Sequence, residues 1–334
     1  MPTARIVAIG TSAGGIDALR AIVSRLPEDF PAPICVVMHT SAESGSLLNQ
    51  ILDRAGPLRA KAACDGERTQ PGFVYVAPVD HHLLAEPGKL RVTKGPKENR
   101  FRPAIDPLFR SAAQVYGPAA IGVILTGGLD DGAAGLWAIK RLGGIAIVQD
   151  PADALFPEMP RSALAQVDAD YTPRLAEIAS LLVTIASAPI VAPDIADTPE
   201  HVDIEVKIAK EENALDAGLE RVSTPSSFAC PECHGVLLQL DEGKHTRFRC
   251  HTGHAYSADS LLAAIEDTIE SALWSAARRL QEGGLLLHRM ADHLARIHGV
   301  DTHQLSELGE EARRQSDAVR RIISMTESAR ATKT

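Results

Sequence analysis

Ser12 stands in the run Gly10-Thr11-Ser12-Ala13-Gly14-Gly15, directly after a short apolar segment and before one of helical period. Three chemistries compete for such a turn. A dinucleotide fingerprint needs a second glycine two places after the first, where this chain has Ser12. A phosphate-binding P-loop needs Lys and then Ser or Thr after its last glycine, where this chain has Ile16-Asp17. Gly10 to Gly14 instead fits Gly-x-Ser-x-Gly, the sharp strand-to-helix turn that exposes a nucleophilic serine. A serine hydroxyl is a weak nucleophile at neutral pH, so a base must lie within its reach.

That base, and the carboxylate that orients it, must come from other strand ends. The apolar run Ile34 to Met38 ends in His39. A second run, Ile121 to Leu125, enters Thr126-Gly127-Gly128-Leu129-Asp130-Asp131-Gly132, which sets two aspartates in a glycine-lined loop before a helix. Either aspartate could orient an imidazole, and either could simply cap the helix. Helix N-termini behind Ser12 and Asp131 would aim free N–H groups at a developing oxyanion; Ala13 and one of Gly127 and Gly128 are the candidate donors.

A separate cluster has the spacing of a metal site. Cys230-x2-Cys233 is followed after sixteen residues by Cys250-x3-His254. Three thiolates and an imidazole make a closed tetrahedral zinc site, structural because no coordination position stays open. His234 and His251 are alternatives to His254 as the fourth ligand. A redox Cys-x-x-Cys competes, but the second Cys/His pair favours zinc. Cys35 and Cys64 read as ordinary core or surface thiols.

The elements that must hold these groups alternate along the chain. Strands are expected at Arg5 to Ile9, Ile34 to Met38, Phe73 to Ala77, Ile121 to Leu125 and Ile145 to Val148. Their near-continuous apolar character suits strands covered on both faces. Helices are expected at Gly15 to Leu26, Leu47 to Ala55, Pro107 to Val115, Ala133 to Arg141 and Pro173 to Ala186. The Pro87-Gly88 pair predicts a hairpin within His82 to Thr93. The alternation implies an α/β fold, a doubly wound and mostly parallel sheet with a β-hairpin insertion, whose ligands gather at the carboxyl ends of the strands. Residues 188–227, rich in proline and charge, read as a linker with room for one short strand or helix. Residues 228–256 then form a small metal-bound module, and 257–330 a helical tail with breaks expected at Gly283-Gly284 and near Gly299.

Composition narrows the function. The 334 residues are 45% hydrophobic and 23% charged, with aromatics at 4% and a formal net charge of -9. That charge, without a Lys/Arg cluster, argues against a nucleic-acid binder. The N-terminus lacks the apolar region of a signal peptide, and the Leu181 to Pro193 stretch is too short to span a bilayer, so a cytoplasmic protein without membrane insertion is expected.

In order and spacing, "IGTSAGG", "VVMH", "RPAIDPLFRSAA", "LTGGLDDGAAG" and "QDPADALFPEMPRSA" resemble the catalytic domain of the chemotaxis protein-glutamate methylesterases, over about Arg5 to Ser187. The resemblance implies a Ser12, His39, Asp131 triad that needs no cofactor. It implies hydrolysis of glutamyl methyl esters on methyl-accepting chemoreceptors, or on a related signalling protein, with release of methanol and deamidation of certain glutamines. Two departures stand out. The family loop usually reads Thr-Gly-Met-Gly-x-Asp-Gly, whereas this chain has Thr126-Gly127-Gly128-Leu129-Asp130-Asp131-Gly132 and lacks the methionine, and the resemblance starts at residue 5, so control by a receiver domain within this chain is not expected. "RFRCHTGHAYSADSLL" also resembles a zinc-ribbon-like tail of some standalone homologues. A signalling adaptor that keeps the esterase fold and acts through its zinc and helical tail is the competing reading.

Overall fold

The computed structural model describes residues 4–39, 47–191, 198–242, 245–298 and 301–331. The chain divides into two compact units, Met1–Leu261 and Leu262–Thr334. The first begins with β1 (Ile6–Thr11), α1 (Gly15–Val23), β2 (Ile34–Met38), α2 (Leu48–Asp53), β3 (Arg59–Ala62) and β4 (Phe73–Val76). The hairpin β5 (His82–Glu86) and β6 (Lys89–Thr93) follows, then α3 (Ile105–Tyr116), β7 (Ala120–Ile124), α4 (Ala133–Arg141), β8 (Ile145–Val148), α5 (Glu158–Gln166) and α6 (Leu175–Ser187). Six strands form one parallel sheet in the order β3-β4-β2-β1-β7-β8. β3 and α5 lay outside the sequence expectation: β3 reads Arg-Ala-Lys-Ala, with three of its four side chains exposed, and has no apolar run to announce it.

Why the sheet is covered on both faces follows from its strands. In β1, Ile6 and Ala8 join one apolar cluster with Phe109, Leu136 and Met159 from α3, α4 and α5. Val7 and Ile9 join the other, with Leu19, Leu52 and Leu182 from α1, α2 and α6. Side chains alternate across a strand, so a continuous apolar run supplies both cores at once.

The stretch 188–227, expected as a linker with room for one short strand or helix, contains α7 (Glu200–Ala209), and Val202, Ile204, Val206 and Ile208 in it are buried. Apolar residues on more than one face of a short charged helix conceal its periodicity, and only its neighbours explain its burial. β9 (Thr224–Ala229), β10 (Val236–Glu242), β11 (His245–Cys250) and β12 (Ala255–Ser257) then form a four-stranded antiparallel sheet, in the order β12-β11-β10-β9.

The second unit contains most of α8 (Ala258–His298) together with α9 (His303–Ala331). The break expected near Gly299 falls between these helices, and Gly299 itself lies outside the described residues. At Gly283-Gly284 the expectation fails, because α8 runs through both glycines. Gly284 serves close approach instead: a Cβ there would lie 2.9 Å from the Gly309 carbonyl oxygen of α9. Ser316 adds a hydroxyl bond to the Ala277 carbonyl at 2.8 Å.

Candidate functional site

Strand order decides which loops meet. β1 lies between β2 and β7, with Thr11 beside Met38 and Gly10 beside Ile124. The carboxyl ends of these three strands therefore open on one crevice, at the point where the winding of the sheet reverses. Ser12 follows β1, His39 follows β2, and Asp131 ends the loop after β7.

The Ser12 turn is held from below. Ser12 donates its N–H to the Thr126 carbonyl at 3.1 Å and accepts from the Gly15 N–H at 2.9 Å. Gly14 takes φ +76°, a left-handed conformation that glycine adopts without steric cost. Gly127 approaches Ser12 so closely that a Cβ would sit 2.9 Å from the serine Cβ and 2.1 Å from the Met159 methyl.

His39 and Asp131 form a buried pair, with Nε2 2.7 Å from Asp131 Oδ2 and the two side chains 2% and 0% exposed. With the proton on Nε2, Nδ1 is left as the accepting nitrogen, and it has no partner in this state. The imidazole stacks on Phe101, with ring centroids 3.7 Å apart and planes inclined by 5°. Ser12, Ala13, His39 and Phe101 all line one cleft of about 800 Å³, with Lys97, Arg100 and Arg102 also in its wall.

Asp131 is supplied with donors on both oxygens. Ile105 N–H donates to Oδ2 at 2.6 Å, and Asn99 Nδ2 donates to Oδ1 at 2.8 Å. Burial by itself would raise the pKa of this carboxyl. The His39 bond and charge, with the Ile105 and Asn99 donors, outweigh burial and hold it below the usual range. The first turn of α3 thus acts as an anion site for the aspartate.

The structure separates the two aspartates that residue pattern left open and of which the family resemblance implied Asp131. Asp131 meets His39, whereas Asp130 accepts from the Ser257 hydroxyl at 2.8 Å, and burial pushes its carboxyl up to about 6. One expected donor is corrected. Gly127 donates its N–H to the Phe156 carbonyl at 2.9 Å, so it has nothing left for an oxyanion. Among the described residues, the N–H groups of Ala13 and Gly128 are engaged by no acceptor.

Sequence reasoning missed Asn99, Phe101 and Asp106. Asp106 accepts from the Gly135 N–H at 2.7 Å and from Asn99 Nδ2 at 2.9 Å. Phe101 and Asp106 flank or lie within a block that stood out by pattern, but no spacing rule gave them a task. Asn99 carried only a turn signal.

Far from the cleft residues in sequence, Cys230, Cys233, Cys250 and His254 offer ligand atoms that all lie within 4.8 Å of one another. Sγ of Cys233 and Cys250 are 3.6 Å apart, and His254 Nδ1 lies 3.5 Å from Cys250 Sγ. Sulfurs at the corners of a tetrahedron with ~2.3 Å bonds to zinc would be about 3.8 Å apart. The donor set therefore fits such an ion, and neither His234 nor His251 belongs to it. Cys35 is a buried thiol pushed up to about 12 by burial and the nearby Glu67 charge; Cys64 is exposed.

A parallel α/β sheet that brings Ser, His and Asp to three adjacent strand ends has the architecture of a serine hydrolase. Residues 7–182 match the CheB methylesterase family, and the chain belongs to that family. It is 39% identical to the crystal structure of the Thermotoga maritima CheB methylesterase catalytic domain, with a TM-score of 0.53, over 55% of this chain and 100% of that one. A provisional protein-glutamate methylesterase/protein-glutamine glutaminase of Leptospira interrogans is 43% identical over 54% of this chain and 93% of its own length. Protein-glutamate methylesterase/protein-glutamine glutaminase 3 of Anaeromyxobacter dehalogenans is 42% identical over 51% of this chain and 50% of its own length. No helix among the described residues is long and apolar enough to cross a membrane.

Proposed function

We propose that this chain hydrolyses glutamyl methyl esters on methylated chemoreceptor segments or a related signalling protein, with Ser12 as nucleophile, His39 as base and Asp131 as the orienting carboxylate. The observation that carries this reading is the buried His39–Asp131 pair at 2.7 Å, beside Ser12 in a shared cleft. Ser12 Oγ attacks the ester carbonyl while His39 Nδ1 takes its proton. The imidazolium, stabilised by ionised Asp131, then protonates departing methanol, and water repeats the sequence on the acyl-enzyme. The Ala13 N–H, with that of Gly128, stabilises the oxyanion; loss of one such donor costs about 3 kcal/mol of transition-state stabilisation. A glutamine side chain presents the same carbonyl with ammonia as leaving group, which makes deamidation the companion reaction.

The Cys/His cluster would hold zinc through Cys230, Cys233, Cys250 and His254. A four-ligand site supplies folding energy to the small sheet and no chemistry to the reaction. Methanol release from methylated receptor, compared between the native chain and Ser12→Ala, tests the esterase reading; equal release by the two proteins would sink it.

A further inference from the structure

The C-terminal four-stranded sheet reaches the triad through one turn. Glu98 and Phe101 exchange backbone hydrogen bonds of 3.1 and 2.8 Å, closing a two-residue turn whose central residues, Asn99 and Arg100, have φ of +49° and +77°. Positive φ at both central positions is the requirement of the hairpin turns that favour asparagine. From this turn Asn99 reaches Asp131 and Phe101 stacks on His39. Its own position is set by β12. Asn99 donates its N–H to the Ala255 carbonyl at 2.8 Å, and Ala255 donates to the Lys97 carbonyl at 3.2 Å.

The Asn99 amide is also oriented from that side. Its Oδ1 accepts from the Ser257 N–H at 3.0 Å and the buried Ser260 hydroxyl at 3.2 Å. With the oxygen fixed there, Nδ2 must face Asp131 and Asp106, where it donates at 2.8 and 2.9 Å. Glu98, next along the turn, is fully buried, accepts from Arg110 of α3, and accepts from Arg249 of β11 at 2.8 Å. Arg249 also bonds Glu205 of α7 at 2.8 Å, and Arg247 bonds Glu205 through both carboxylate oxygens at 2.7 and 2.8 Å. Removing one partner from a buried ion cluster leaves an uncompensated charge, so this arrangement resists separation of β11 from the turn.

We infer that Asn99 is a positioning residue for the triad, and that Ala255, Ser257 and Ser260 act with it, because they fix its backbone and orient its amide. A carboxylate with one oxygen on His39 and the other on Asn99 has a fixed plane, and the imidazole inherits that orientation. The kinetic part of the test rests on the esterase reading above; the spectroscopic part does not.

The test uses the full chain with Asn99→Gly and Ser260→Ala. Glycine accepts the positive φ at residue 99, so the turn survives while the amide is lost. For Asn99→Gly the expected result is a fall in kcat of about ten- to a hundred-fold at unchanged KM, the range that misplacing a catalytic group produces. Ser260→Ala is expected to lower kcat a few-fold, on the order of what an approximately 1 kcal/mol loss of one hydrogen bond predicts. Proton NMR supplies a readout independent of turnover. The low-field imidazole N–H resonance expected of the His39–Asp131 pair in the native chain should broaden or vanish in Asn99→Gly, with an unchanged circular dichroism spectrum. Native resonance and native kcat in Asn99→Gly would overturn the inference. A native chain without esterase activity whose resonance is still lost in Asn99→Gly would count against the esterase reading and for the positioning role.

Discussion

The two large sheets of the first unit are held together by opposite means. The parallel sheet is flooded with aliphatic side chains: Ile6, Val7, Ile34, Val36, Ile121, Val123, Ile147 and Val148 are all 0% exposed. The antiparallel sheet of β9 to β12 buries Leu237 and Leu240 but also Arg247 and Arg249, while β9 is largely open to solvent. A small sheet removes little apolar area from water by itself, and here a Cys/His cluster and buried ion pairs stand beside its few buried apolar residues. Charges then impose a condition that apolar residues do not. They need specific partners, and one of those partners is Glu98, beside the asparagine that donates to Asp131.

The sharpest way to break this comparison is to withdraw the zinc proposed for the Cys/His cluster. Structural zinc sites contribute about 10–16 kcal/mol of apparent binding energy, so a strong chelator should strip hydrogen-exchange protection from residues 230–256 while β1, β2 and β7 keep theirs. Mass spectrometry of native and chelated full-length protein, with peptide-level exchange, checks both halves. If the segment keeps its protection without metal, ion pairs alone hold the small sheet.

Next in size is a change that leaves both sheets standing. Asp131→Asn should lower kcat by about 10⁴, as loss of the orienting carboxylate leaves the imidazole in the wrong tautomer. Some thermal stability should go with the lost charge, and kinetics and melting curves on the same preparation separate that loss from the fall in kcat.

Stability variants set the two cores side by side. Glu205→Ala removes one of the two buried carboxylates that Arg247 and Arg249 face, leaving Glu98 alone against them, and should cost about 3–5 kcal/mol. Ile147→Val in β8 removes one methylene and should cost about 0.5–1.5 kcal/mol. Urea titration of the two variants decides it, and equal costs would mean that the ion cluster is wetter than its burial implies.

The smallest expected effect is a slope. Burial and the Asp131 charge push the Asp106 carboxyl up to about 7. An acid raised on folding binds its proton more tightly in the folded state. Its contribution is full below the ordinary range near pH ~4 and is lost as pH rises to about 7. Asp106→Asn should therefore flatten the decline of stability between pH 5 and about 7.5, measured by urea unfolding at each pH. Glu98, Glu205 and Asp131 work in the opposite sense: burial would raise them, yet their ion pairs and hydrogen bonds hold them low, so their contribution is lost as acid protonates them.

Much of this was legible in the chain itself. Strands covered on both faces announce themselves as apolar runs, so β1, β2, β4, β7 and β8 were all foreseen, and with them the polar residues at their ends. β3 and α5 were not, because they lack an apolar stripe, and α7 was foreseen only as room for one short element, because its burial comes from neighbours distant in sequence. The Cys230 to His254 spacing named the four groups that converge. Nothing in "KENRF" distinguishes Asn99 from any other turn asparagine.

The sequence by itself determined the chemistry available: a serine on a glycine-bounded turn, a histidine and two aspartates at strand ends, and four ligands for a tetrahedral metal. Local pattern suffices there because each group sits next to the apolar run or the paired spacing that places it. Residue pattern left Asp130 and Asp131 open, and only the resemblance implied Asp131; tertiary structure alone decided that Gly127 has already spent its N–H on Phe156, and that α8 passes unbroken through two glycines. Those outcomes depend on what arrives from elsewhere in the chain. Asp130 and Asp131 are adjacent and chemically identical, and it is Ser257 on one side and His39, Asn99 and the start of α3 on the other that give them different work.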